Sequence, residues 1–291
     1  MDTIGMQVRG RVLIIAGSDS GGGAGIQADI KSVTAMGGYA MTAITALTAQ
    51  NTLGVSAVHP VPVDFLREQI RVVIEDIGVD CVKTGMLHDA AVIDVVAEAL
   101  DQWAQGVPLV VDPVMVAQSG ANLLEQGALV ALRERLLPRA TLVTPNLPEA
   151  RALLEDDIPG AEAMEAAASA LREIAGGAVL LKGGHLPGDA LLDVLHDGEA
   201  LHLFHHQRVP TRHTHGTGCS LASAIATGLA QGHGLTAAVT RGRAFLLEAI
   251  RTAPGLGRGD GPVNHVHTLD PERVLALDYP AADVVRHARR G

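Results

Sequence analysis

Apolar residues in this chain follow two alternating rhythms. Short β-branched runs end at a glycine or a polar residue, and longer segments with apolar residues at helical spacing lie between them. Residues 11–16 predict a buried strand ending at Gly17; a glycine loop over 20–25 and a helix over 26–36 follow, stopped by Gly37 and Gly38. Residues 41–48 and 55–58 predict two further strands. A helix over 62–76 carries Leu66, Ile70 and Val73 along one face, with Ile77 just beyond. From there the pattern predicts strands at 79–83, 109–111, 141–144 and 178–182, separated by helices at 90–103, 123–137, 148–154 and 162–175. Two edge-like strands at 191–196 and 201–209 flank the turn Asp197-Gly198. Helices at 220–231 and 235–251 complete the series.

This alternation predicts an α/β three-layer sandwich, with a mainly parallel central sheet flanked by helices on both faces. No repeat or linker divides the chain, so a single domain over 1–291 is expected, with about 1–10 and 270–291 peripheral or poorly ordered. Ligands of such sheets gather at the carboxyl ends of the strands. Six predicted strand ends carry glycine or polar residues: Gly17-Ser18-Asp19, Gln50-Asn51, Lys83-Thr84-Gly85, Asp112-Pro113, Thr144-Pro145-Asn146 and Lys182-Gly183-Gly184-His185.

Composition changes this picture mainly by exclusion. A hydrophobic fraction of 47% supports a large core. A net charge of −10 and an aromatic content of 2% argue against nucleic acid as a partner, which would call for clustered Lys and Arg or a stacking platform. No apolar run reaches the roughly 18 residues a membrane span requires, and no signal peptide is evident, so no membrane partner and a cytoplasmic location are expected. Cys81 and Cys219 cannot build a disulfide framework. The 13 histidines show no zinc spacing, and His202, His205 and His206 read as a solvated strand edge.

The densest chemistry lies at Thr214-His215-Gly216-Thr217-Gly218-Cys219-Ser220. Two glycines before a helix let the N–H groups of Gly216, Thr217, Gly218 and Cys219 face an anion, aided by the helix dipole. Cys219 reads as a base in that pocket, with a hydrolase nucleophile and an inert buried thiol as alternatives; a helix start also lowers a thiol pKa. Gly21-Gly22-Gly23-Ala24-Gly25 is neither a dinucleotide fingerprint, since Ile26 stands where glycine is needed, nor a P-loop, which needs Lys and Ser or Thr after its last glycine. It reads as a flexible turn or as a close backbone approach to a small flat ligand, with Asp29 accepting hydrogen bonds one turn further on. Gln50 suits the edge of a heterocycle or caps a turn. Asp112 holds Mg²⁺ or caps a helix; Asn146 and Glu149 serve a metal–phosphate site or a helix start; Lys182 reaches a phosphate.

Together these stretches carry a resemblance. The segment from Leu13 through the glycine loop to Lys31, residues 46–52, Thr144-Pro145-Asn146-Leu147-Pro148-Glu149-Ala150, Leu181-Lys182-Gly183-Gly184-His185 and residues 214–219 resemble the hydroxymethylpyrimidine/phosphomethylpyrimidine kinases of thiamine biosynthesis, within the ribokinase-like superfamily. The resemblance runs in order from about residue 11 to 267. It implies two ATP-dependent phosphorylations, of 4-amino-5-hydroxymethyl-2-methylpyrimidine to its monophosphate and then to the diphosphate. It further implies that Asp29 and Gln50 hydrogen-bond the aminopyrimidine, with Gly17, Met86 and Val114 lining its pocket. Asp112 and Glu149 would serve Mg²⁺; Asn146, Glu149 and Lys182 would serve ATP. Gly216, Thr217 and Gly218 would form the anion hole, with Cys219 as base, in a homodimer. The stretch from Gly255 to His265 resembles the family's Gly-x-Gly-x-Gly-Pro-x-x-His, read with an extra residue pair. The alternatives are a pyridoxal or pyridoxine kinase, a non-catalytic ligand-binding protein of this fold and, more remotely, a Rossmann dehydrogenase.

Overall fold

The computed structural model describes residues 8–116, 120, 123–125 and 127–270. The strands are β1 (Arg11–Asp19), β2 (Tyr39–Asn51), β3 (Gly54–Pro60), β4 (Cys81–Thr84), β5 (Leu109–Val111), β6 (Leu142–Val143), β7 (Ala178–Leu181), β8 (Ala190–His196) and β9 (Leu201–Gln207). They form one sheet in the order β3-β2-β1-β4-β5-β6-β7-β8-β9. Its centre, from β2 to β7, is parallel, while β3, β8 and β9 join antiparallel to their neighbours. The three-layer α/β architecture expected from the alternation is the one observed.

The period-2 geometry of β1 shows why both faces need helices. Leu13 and Ile15 enter one core, and Val12, Ile14 and Ala16 enter the other, all at most 1% exposed. The first core is roofed by α2 (Val63–Asp76), α3 (Ala90–Trp103), α4 (Ala128–Ala131), α5 (Leu147–Leu154) and α6 (Met164–Ile174). The second is roofed by α1 (Gly25–Ala35), α7 (Thr217–Ala230) and α8 (Leu235–Arg251). A long α7 free of charge fits there because it is covered on nearly every side: nine of its residues are buried.

Two boundaries differ from the sequence pattern for identifiable reasons. The helix expected over 123–137 begins only at Ala128, after Gly127 at φ +96°. Before it, Leu123 N–H donates to the Met115 carbonyl and Glu125 N–H to the His88 carbonyl, bonds that tie the segment to neighbouring loops. It then loosens into a π turn (Leu132–Leu136) and tightens into a 3₁₀ turn containing Pro138 (Leu137–Arg139). The helix expected from 220 starts three residues earlier, at Thr217, which puts Gly218 and Cys219 inside its first turn. Of the ends expected to be peripheral, residues 1–7 and 271–291 lie outside the described residues. Arg9, by contrast, is held, its N–H on the Gly37 carbonyl and its own carbonyl on Gln231. Among the described residues no helix is long and apolar enough to cross a membrane.

Candidate active site

A single cavity of about 830 Å³ runs along the carboxyl ends of the parallel strands. Strand order divides it. The ends of β1, β2 and β4 supply Gly17, Asp19, Gln50 and Met86 at one side; β8, β9 and α8 supply Asp193, Gln207 and Leu246 at the other. Between them stand Asp112 after β5, Asn146 and Glu149 after β6, Lys182 after β7 and the start of α7.

The start of α7 is shaped by backbone that only glycine accommodates. Gly216 has φ +82°, and a Cβ there would lie 1.9 Å from the Gly23 carbonyl oxygen. The Ser220 N–H donates to the Gly216 carbonyl at 2.9 Å, and the Thr217 N–H to that of Thr214 at 3.3 Å. Among the described residues this leaves the Gly218 and Cys219 N–H groups without a backbone acceptor at a helix N-terminus, where an anion is favoured. A Cβ on Gly218 would sit in tight contact, 3.3 Å from Asp112 Oδ2 and 3.4 Å from Lys182 Nζ. Unpaired backbone amides, a carboxylate and an ammonium therefore meet within one contact shell.

Lys182 donates to Asp112 Oδ1 at 3.1 Å, and the same oxygen accepts from the Thr144 hydroxyl at 3.1 Å. Burial works against the Lys182 charge, but Asp112 and Glu149 outweigh it and raise its pKa. Asn146 and Glu149 form a reciprocal capping box at α5: Glu149 N–H donates to Asn146 Oδ1 at 2.9 Å, and Asn146 N–H to Glu149 Oε2 at 2.8 Å. The helix start and the site are thus one structure, for the cap holds a carboxylate at the cavity wall. Burial pushes the Glu149 carboxyl up to about 7, with Asp112 adding to the shift and Lys182 opposing it.

The family profile described as phosphomethylpyrimidine kinase matches residues 19–264. The hydroxymethylpyrimidine/phosphomethylpyrimidine kinase of Mycobacterium bovis is 48% identical over 260 residues, covering 89% of this chain and 94% of that protein. The chain belongs to the phosphomethylpyrimidine kinase family. A bifunctional thiamine biosynthesis protein, ThiED, of Geobacter sulfurreducens is 53% identical over 91% of this chain, which spans about half (54%) of that protein's length. A crystal structure of Bacillus subtilis pyridoxal kinase in complex with ADP superposes with a TM-score of 0.82 at 35% identity, over 89% of this chain and 98% of that one.

In this kinase, the residues expected at the site converge with one exception. Gly17, Gln50, Met86, Val114, Asp112, Asn146, Glu149, Lys182 and residues 216–219 all line the cavity. Asp29 does not. It is wholly buried behind the wall, where Lys83 Nζ donates to both its oxygens at 2.9 Å and the Ser223 hydroxyl to Oδ1 at 2.7 Å. A carboxylate so occupied has no access to a ring in the cavity. The expected lowering of the Cys219 pKa is also reversed. Burial pushes that thiol up to about 12, Asp29 and Asp112 add to the shift, and Lys83 and the Gly25 N–H only partly offset it.

Asp19 and His215 were not singled out as functional from the sequence, and both line the cavity. Asp19 accepts from the N–H groups of Gly21, Gly23 and Ala24 at 2.8–3.1 Å and contacts His215 Nε2 at 2.9 Å, which stitches the glycine loop to the residues before α7. Its burial favours the neutral acid, but His215 and those amides outweigh it and lower its pKa. Thr48 has one hydroxyl proton, and the Ser18 carbonyl takes it at 2.8 Å. The 3.1 Å contact between Thr48 and the Gln50 carboxamide is therefore satisfied when the amide turns its NH₂ group toward the Thr48 oxygen. The glycine-rich stretch near the C-terminus also finds a place. Asp260 N–H donates to the Thr52 carbonyl, the His215 N–H donates to the Gly261 carbonyl, and His265 Nε2 meets the Ser220 hydroxyl at 2.9 Å.

Proposed function

We propose that this kinase phosphorylates 4-amino-5-hydroxymethyl-2-methylpyrimidine with ATP, first to the monophosphate and then to the diphosphate used in thiamine biosynthesis. The observation that carries the reading is the meeting of Gly218, Cys219, Asp112 and Lys182 midway along one cavity. The side formed by Gly17, Gln50, Met86 and Val114 suits a small flat ring: a Cβ on Gly17 would lie 2.5 Å from Met86 Cε, so a larger residue there would push the methionine toward the ring's space. The Gln50 carboxamide, with a donor and an acceptor in one group, suits that ring edge. The opposite side suits the nucleotide, with its phosphates directed toward Lys182 and the α7 amides.

Phosphoryl transfer passes through a loose transition state, so positioning and charge neutralisation dominate. The substrate oxygen bonds to the γ-phosphorus as the bond to the β-phosphate oxygen breaks and ADP departs. The Gly218 and Cys219 N–H groups and Lys182 neutralise the equatorial oxygens, and Cys219 takes the hydroxyl proton. Because the resting thiol is neutral, it must ionise before it can act; a loose transition state asks little of the base. Two carboxylates, Asp112 and Glu149, at a phosphate pocket suit Mg²⁺, which is commonly held by one or two carboxylates plus substrate phosphates. Bound there, Mg²⁺ would supply charge neutralisation for the phosphates.

Product analysis with the pyrimidine alcohol, ATP and Mg²⁺ tests the reading: monophosphate and then diphosphate are expected, and turnover confined to pyridoxal would overturn it. Cys219→Ala should lose about a hundred-fold or more in kcat while ATP affinity measured by calorimetry is kept. A homodimer in the cytoplasm completes the reading, supported by exposed Leu47, Leu53 and Phe65 around the β2–β3 extension; a monomeric mass by sedimentation would refute the dimer.

A further inference from the structure

Among the described residues the largest wholly buried side chain is not apolar. It is Lys83, on β4, paired with Asp29 on α1, itself bonded to Ser223 on α7, and all three are 0% exposed. A buried ion pair seldom stabilises a fold more than apolar residues of similar shape, so its location calls for another account. That location is directly behind the cavity. Gly85 lines the cavity, and a Cβ on it would lie 3.0 Å from Lys83 Nζ.

α1 and α7 run alongside each other behind the cavity wall. Gly25 at the start of α1 and Cys219 at the start of α7 both line the cavity, and one turn further along each helix Asp29 accepts from the Ser223 hydroxyl. Gly25 and Asp29 are spaced i, i+4 on α1, as Cys219 and Ser223 are on α7, so each pair lies on one helix face. The starts of both helices thereby meet at the cavity wall that carries the thiol, with the Lys83–Asp29–Ser223 cluster one turn behind them.

We propose that the buried Lys83–Asp29–Ser223 cluster is the positioning device of Cys219. Ser223 locks the helix register that aims the thiol, and the two charges set the field in which it reacts. Lys83 favours the thiolate, while Asp29 opposes it. The other charged groups facing the thiol are Asp112 beyond β5, which also opposes ionisation, and Lys182 beyond β7. The effect on turnover rests on Cys219 being the base; the effect on thiol reactivity does not.

The test is alkylation of Cys219 by iodoacetamide as a function of pH, read by mass on its own peptide, beside kcat and KM. Asp29→Asn should speed alkylation at pH 8 on the order of ten-fold and shift the acid limb of the kcat profile down by about one unit; Lys83→Met should slow it and shift the limb up by similar amounts. Ser223→Ala should lower kcat without moving the pH dependence of alkylation. A scaffold role alone would move both charge variants in the same direction, so rates that change together, or not at all, overturn the proposal. If Lys83→Met fails to fold because Asp29 is left unpaired, the shape-conserving Asp29→Asn decides alone: no acceleration overturns it. Opposite shifts in alkylation, combined with full turnover by Cys219→Ala, would sustain the device and refute the base.

Discussion

Glu149 combines two functions that conflict electrostatically. It caps α5 through the Asn146 N–H and stands as a buried carboxylate near Asp112. With its folded pKa near 7 against an unfolded value of 4.5, the folded state holds a proton that the unfolded state has lost. Stability from this group is therefore complete below pH 4.5 and declines as pH rises toward 7. In metal-free buffer the decline should amount to about 3 kcal/mol at most. Glu149→Gln should flatten it, as thermal melts between pH 4.5 and 8 would register. Equal slopes in the two proteins would contradict the assignment.

At the scale of elements, the junction of the glycine loop with α7 is the part least tolerant of change. The Gly23 carbonyl fills the space a Gly216 side chain would need, and a Cβ on Gly23 would lie 2.4 Å from His215 Cδ2. Gly216→Ala must bring φ +82° and that clash together, so the first turn of α7 has to move. Loss of about 1–3 kcal/mol of stability is expected, with kcat falling further than the melting temperature suggests because the anion-binding amides are displaced. Wild-type kcat in this variant would show that the amides do not depend on the junction. The junction also explains how the chain's last described stretch contributes: His215 bridges to Pro262, and Ser220 to His265.

For the whole molecule, acid sensitivity should come from histidines held neutral rather than from surface ion pairs, most of which are solvent-exposed and worth little. Burial lowers the pKa of His185, His267 and, to about 4, His265. Each is depressed below 6.5, so its contribution is intact above that pH and is lost as pH falls below it, for His265 down to about 4. His265→Asn should reduce the slope of melting temperature against pH between 6.5 and 4. An unchanged slope would locate the acid-labile group elsewhere.

Much of this molecule was legible from local pattern, because strand and helix periods are properties of adjacent residues. The alternation specified the layers, α3 and α8 fall at the expected bounds, and the strand ends pointed to one crevice. The motif at 214–219 pointed to a glycine-shaped helix start through its spacing alone. Burial and partnership are another matter, since they depend on residues far apart in sequence. Asp29 looked like a ligand-binding carboxylate until the fold brought Lys83, 54 positions away, and Ser223, 194 positions away, against it. Asp19 and His215, 196 positions apart, became a pair only through the packing of two loops. The ionisation of Cys219 was decided in the same way. Local sequence offered a helix start that favours the thiolate, and the desolvation and carboxylates supplied by the tertiary structure outweigh it.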